Sequence, residues 1–214
     1  MHALEQFVQS LNDSERKIFT GLNSPAEIQA FLDTVPYSTE PVYRCPRQVL
    51  RDRLAHCFDG ALFAAAALRR LGHAPRIIDM VAERDDDHLL AVYRQGPCWG
   101  AVAKSNFAGL RYREPVYRTL RELVMSYFEL YYNTAREKTL RSYTVPLDLG
   151  RFDAEGWMID DQPLERIADR LDSIRHVTLL TPAQARALQP VDQRSFEAGL
   201  LGSEAAGLYD PETA

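Results

Sequence analysis

Between His56 and Pro75 the chain reads HCFDGALFAAAALRRLGHAP, and this stretch constrains the fold more than any other. Gly60, Ala61, Ala64, Ala65, Ala66 and Ala67 leave a helix with almost no side-chain bulk. Such a helix lets neighbouring backbone approach closely, so it belongs at the centre of a core, packed on a sheet. Gly72 suits the C-terminal cap and Pro75 blocks continuation. The helix opens at Cys57, and a thiol at a helix N-terminus lies where free N–H groups and the helix dipole favour a thiolate.

Around this element the pattern predicts an α+β fold. Up to about Leu54 the chain reads as helical: Leu4, Phe7, Val8 and Leu11 recur at helical spacing, and Ser24-Pro25-Ala26-Glu27 is an N-cap followed by proline and an acid. Pro36, Pro41 and Pro46 punctuate an extended connection, and Pro46 opens a short helix. Strands are expected over Arg76 to Val81, His88 to Arg94 and Trp99 to Lys104, the last two joined by the turn Gln95-Gly96-Pro97-Cys98. Further on, helix is expected over Val116 to Tyr131 and Pro163 to Leu171, and strand over Tyr143 to Leu149 and His176 to Leu180. Thr181-Pro182 reads as another capped helix start. The sum is a central Cys-bearing helix packed on a short antiparallel sheet, with additional helices. One domain is expected over residues 1–200, with a small, polar, loosely held tail over 201–214.

Composition excludes several classes. With 214 residues, 46% hydrophobic and 26% charged, the chain suits one soluble core rather than disorder. A net charge of -5 opposes nucleic-acid binding, which needs a basic face to displace counterions. The apolar run Ala61 to Leu68 is too short to span a bilayer, and the N-terminus lacks a signal-peptide pattern, so no membrane partner is expected. Three cysteines without framework spacing fit free thiols in a reducing, cytoplasmic setting.

The chemistry centres on Cys57 and His88. A cysteine at a helix start is either a small buried hydrophobe or a reactive thiol. Cys45 precedes a proline and Cys98 lies in a turn, so both are incidental. His88 follows Asp85-Asp86-Asp87 and opens a strand, which makes it either the edge of a solvated acidic turn or a general base whose charged form the carboxylates favour. A third group should orient the ring. Strand pairing sets Ser105 opposite His88, whereas Asn106 offers the better acceptor, so Asn106 is favoured and Ser105 stays open. No CxxC or HxxxH pair starts a metal site, the aspartate run lacks the pattern of a calcium loop, and no phosphate cradle appears, so neither metal nor cofactor is expected.

The order of Cys at a helix start, His at a strand start and a polar residue ending the next strand resembles the transglutaminase-like superfamily. HCFDGALFAAAALRRLGHAPRIIDM looks like its Cys helix and following strand, and DDDHLLAVYRQGPCWGAVAKSN like its His strand, turn and third-residue strand. The resemblance covers about Arg47 to Leu110. It implies a papain-like core with a Cys-His-Asp triad, in which Cys57 and His88 match and Asn106 stands near the usual aspartate. Here the chain offers Ala103, Lys104, Ser105 and Asn106, and no acid.

In FAGLRYREPVYRTLRELVMSYFELYYN, arginines and tyrosines either cover the core on an amphipathic helix or line a cleft. In the second case Arg111, Tyr112, Arg113 or Tyr117 would bind an anionic substrate group. The reading is therefore a cysteine acyltransferase or amidase acting on a peptide, protein or small amide through a Cys57 thioester. Its rival is a non-catalytic binding protein that keeps the fold.

Overall fold

The computed structural model describes residues 3–212. Helices α1 (Ala3–Ser10), α2 (Asp13–Gly21), α3 (Pro25–Asp33) and α4 (Pro46–Asp52) lead into α5 (Cys57–Arg70), which is buried from Phe58 to Leu68. The local signals act as their chemistry dictates. Asn12 and Glu15 form a reciprocal cap on α2, and Ser24 accepts from Glu27 N–H at the start of α3. Gly72 takes a positive φ just past α5, where a side chain would be strained.

Strands β1 (Arg76–Ala82), β2 (His88–Gln95), β3 (Cys98–Val102), β4 (Arg113–Tyr117), β5 (Leu140–Thr144), β6 (Leu147–Asp148) and β7 (His176–Thr178) make a seven-stranded sheet. Its order is β4-β3-β2-β1-β5-β7, with β6 also pairing β1, and all its ladders are antiparallel. The architecture is α+β, with α5 packed on the sheet. The sheet is larger than the short one expected. Pro146 divides the strand expected over Tyr143 to Leu149, and both pieces pair with β1. The helix expected over Val116 to Tyr131 is also divided. Its start belongs to β4, and α6 (Leu120–Met125) begins only where Thr119 and Glu122 form a capping box, followed by a 3-10 turn over Phe128–Leu130.

Side-chain alternation gives the sheet two cores. Ile77, Leu89, Ala91 and Tyr93 face α5, together with α7 (Leu164–Ser173). Ile78, Met80, Leu90 and Val92 face the other way, under Leu123, Val124, Tyr127 and Tyr131. Gly60 explains how near α5 comes to the sheet end: a Cβ there would lie 2.2 Å from the Lys104 Cβ.

Two more helices, α8 (Pro182–Arg186) and α9 (Gln193–Gly199), precede the tail. The described part of the tail is tied down through residues 204–209 rather than loosely held, and residues 213–214 lie outside the described residues. Glu204 N–H donates to Asn106 Oδ1 at 2.7 Å, the Asn106 amide donates to Glu204 and Gly207 carbonyls, and Thr134 donates to the Tyr209 carbonyl. Among the described residues no helix is long and apolar enough to cross a membrane.

Candidate active site

His56 caps α5 through its ring: Nδ1 accepts from Phe58 N–H at 3.2 Å, while Asp59 accepts from His56 N–H at 3.1 Å. Asp59 also accepts from Arg44 N–H at 2.7 Å, and burial raises its carboxyl to about 7. This fixes the helix end and so the position of Cys57. The sulfur lies 3.8 Å from the Asp87 carbonyl, and the Leu89 N–H also points to it. The thiol is therefore held against the backbone on both sides of His88.

The turn that carries His88 is built, not merely solvated. Asp87 Oδ1 accepts from Ala82 N–H at 2.7 Å, Asp85 accepts from Thr139 Oγ1 at 2.6 Å, and Tyr131 Oη donates to the Asp86 carbonyl at 2.7 Å. His88 opens β2 opposite Met80. Alternation places its ring with Leu90 and Val92, on the sheet face away from α5. Both side chains nevertheless border one small cavity of about 30 Å³ at the sheet's end, together with Ser105, Leu110 and Tyr131.

The His88 Nε2–H donates to the Leu110 carbonyl at 2.7 Å, and the ring stands edge-on to Tyr131. A carbonyl can only accept, so the proton is on Nε2 and Nδ1 keeps its lone pair. Burial, with Arg113 adding to it, holds the imidazole down at about 4. Burial likewise pushes the Cys57 thiol up to about 12, with Asp79, Asp59 and Asp86 adding to it. Burial thus favours the neutral thiol and the neutral imidazole over the charged pair. Enclosure outweighs both the helix-end dipole and the aspartates that were expected to charge them.

Asn106 borders the same small cavity as His88, but its amide is taken up at both ends by the tail. Ser105 is likewise engaged locally, accepting from Phe107 N–H. The His88 ring is bonded instead by the main-chain carbonyl of Leu110, which no side-chain pattern signals. The four arginine and tyrosine candidates also lie elsewhere. Arg111 pairs with Asp33 at 3.2 Å and Tyr112 bonds Tyr93 and Glu114. Arg113 packs on Tyr127 and bonds Ser126, and Tyr117 pairs with Trp99 in the sheet.

A larger cavity of about 520 Å³ opens on the α5 side of Cys57. Tyr37, Tyr43, Phe58 and Asp79 line it, and residues Ala206 to Leu208 of the tail form one wall. The Cys57 backbone is turned to the Tyr37 hydroxyl, whose proton burial retains. Asp79 faces α5 in the alternation of β1, and sequence alone gives its strand position but not its isolation. Among the described residues no group of three or more His, Cys, Asp or Glu side chains is placed to hold a metal.

No family model and no curated protein matches the sequence. Among solved structures, Legionella pneumophila LapG in an EGTA-treated form is similar over 78% of this chain and 98% of its own, with 14% identity and a TM-score of 0.40.

Proposed function

We propose that the protein is a cysteine-dependent enzyme that transfers an acyl group or hydrolyses an amide through a thioester on Cys57. The observation that carries this reading is the shared end of the sheet. A sulfur lies against the backbone flanking His88, and that ring is fixed in the tautomer whose free nitrogen can accept a proton. Burial favours the neutral form of each group, and in this reading proton transfer from Sγ to Nδ1 accompanies attack on the acyl carbonyl. No hydrogen bond joins sulfur and ring before substrate binds, and catalytic hydrogen bonds commonly tighten only in the loaded site. The imidazolium then returns its proton to the leaving amine, and water or a second amine resolves the thioester to an acid or a new amide.

The developing oxyanion would be held by the Cys57 N–H at the start of α5, with the Tyr37 hydroxyl beside it as the second donor. In related sites each such donor contributes about 3 kcal/mol. The Leu110 carbonyl stabilises the imidazolium less than a carboxylate would, which makes this a site of modest intrinsic rate.

The test is a mixed peptide library incubated with the wild-type protein, Cys57→Ala and His88→Gln, with cleaved, deamidated and cross-linked products read by mass spectrometry. Products are expected from wild type alone, with His88→Gln reduced about a hundredfold or more. Products formed equally by all three proteins, or by none while a ligand still binds, would leave a binding protein of this fold.

A further inference from the structure

The larger cavity beside Cys57 is lined by carboxyl groups, with no lysine or arginine among its described lining residues. Asp79 comes from β1, Asp86 and Asp87 from the following turn, and Asp172 from α7, while Glu40 stands at the edge. Its basic member, His56, is held neutral by burial and by Arg44. Some of the acids are already engaged: Glu40 bonds Arg44, and Asp87 accepts from Ala82 N–H with His176 nearby. Asp79 is different. It is 5% exposed, it lines the cavity, and its Oδ1 has no hydrogen-bond partner among the described residues. A buried carboxyl oxygen is almost always paired, so an unpaired one in a cavity wall marks the place of a missing donor.

The remaining walls suit a cation as well. Tyr37, Tyr43 and Phe58 present aromatic surface, with Tyr43 stacked on Phe58 at 4.4 Å between ring centroids. Aromatic faces attract ammonium and guanidinium groups, and a cleft lined by acidic groups with apolar walls concentrates its field on whatever enters. About 520 Å³ accommodates a long basic side chain with part of its backbone.

We propose that this cavity is the binding site for a cationic organic group, an ammonium or guanidinium, which seats against Asp79 and brings the attached acyl group to Cys57. The inference rests on the proposed function only in calling that ligand a substrate; the binding itself does not require chemistry. The charged neighbours of Asp79 are anions. Asp87 and Asp172 act on it, it acts in turn on Cys57 and Tyr131, and Thr144 on β5 bonds its backbone N–H. Burial and those two anions raise its carboxyl to about 8, so at neutral pH it holds a proton that an arriving cation replaces.

The test uses butylguanidinium, with butanol as the neutral control and calcium chloride as the metal control, titrated calorimetrically into the Cys57→Ala protein. Saturable binding of butylguanidinium alone is expected, weakened at least tenfold in Asp79→Asn and severalfold in Asp172→Asn. Because Asp172 is exposed, its variant keeps the fold even if the buried change does not. In the wild-type protein, a trimethylammonium-bearing methanethiosulfonate should modify Cys57 at least tenfold faster than its sulfonate counterpart. At Cys98, outside the cavity, the ratio should stay near one. Absence of butylguanidinium binding, equal binding in both aspartate variants, or binding of calcium in its place would overturn the proposal. Since the calorimetry is done without the nucleophile, its result holds whether or not acyl transfer is ever detected.

Discussion

Lowering the pH should not rescue Cys57 reactivity, and the reason is quantitative. An ordinary cysteine with a value near 9.0 is about one-tenth thiolate at pH 8; burial of Cys57 pushes it to about 12, leaving about one molecule in ten thousand. That is about a thousandfold less reactive species. A more basic thiolate is a better nucleophile, with a slope of about 0.4–0.5 per pKa unit, and over three units this returns about sixteen- to thirtyfold. The net expectation is alkylation at least about tenfold slower than N-acetylcysteine at pH 8. The rate should rise about tenfold per pH unit up to pH 10, without a plateau.

The measurement is iodoacetamide labelling between pH 5 and 10, with peptide mapping to separate Cys57 from Cys45 and Cys98. Cys45 provides a comparison, since burial raises it to about 12 as well and it is sealed in the core. A rate for Cys57 that levels off with an apparent value below 7 would refute the reasoning. It would mean that a thiolate–imidazolium pair persists at rest, that His88 is charged, and that enclosure is not the dominant influence on either group.

Three other outcomes follow from the packing. Asp79→Asn should gain stability relative to wild type as pH rises, because the native carboxyl, raised to about 8 from 3.8, keeps its proton while the unfolded one loses it. The gain accumulates between about pH 4 and 8 at no more than about 1.4 kcal/mol per pH unit, and a difference in melting temperature that is flat over this range would contradict it. Ending the chain after Gly202 removes the Asn106 and Tyr209 ties and the tail wall of the cavity, so Cys57 alkylation should accelerate severalfold; an unchanged rate would mean the tail does not limit access. Gly60→Ala should cost about 1–3 kcal/mol in chemical denaturation, since its Cβ would overlap Lys104 at 2.2 Å, and a neutral result would mean that the segment after β3 yields easily.

What the sequence disclosed was whatever depends on local pattern. The small-residue helix, its start at Cys57, its stop at Gly72 and the β2–β3 hairpin all follow from periodicity and turn chemistry. The departures were tertiary or punctuational. Thr119 with Glu122 restarts a helix that apolar spacing alone extends back to Val116, and Pro146 splits a strand whose two pieces share one partner. At the site, residue types were legible and environments were not. A helix N-terminus and three aspartates predict charged groups when dielectric is ignored, yet the Tyr131 and Leu110 side of the sheet encloses His88 while the tail and Tyr37 close over Cys57. The carbonyl of Leu110 that bonds the ring has no signature, because any residue type supplies one.

The position of Asn106 joins these points into one physical argument. An amide at the end of β3 has the chemistry to hold His88, but it serves as the clasp for the tail, accepting from Glu204 and donating to Glu204 and Gly207. That clasp sets Gly207 against Tyr37 and makes the tail a wall of both cavities that Cys57 touches. Breaking it with Asn106→Ala should therefore act on access and not on ring orientation. Cys57 labelling should rise as it does on truncation, with no change in the pH at which His88 titrates by NMR. A shift of that titration toward the ordinary histidine value, without faster labelling, would return Asn106 to the orienting role and make the Leu110 contact secondary.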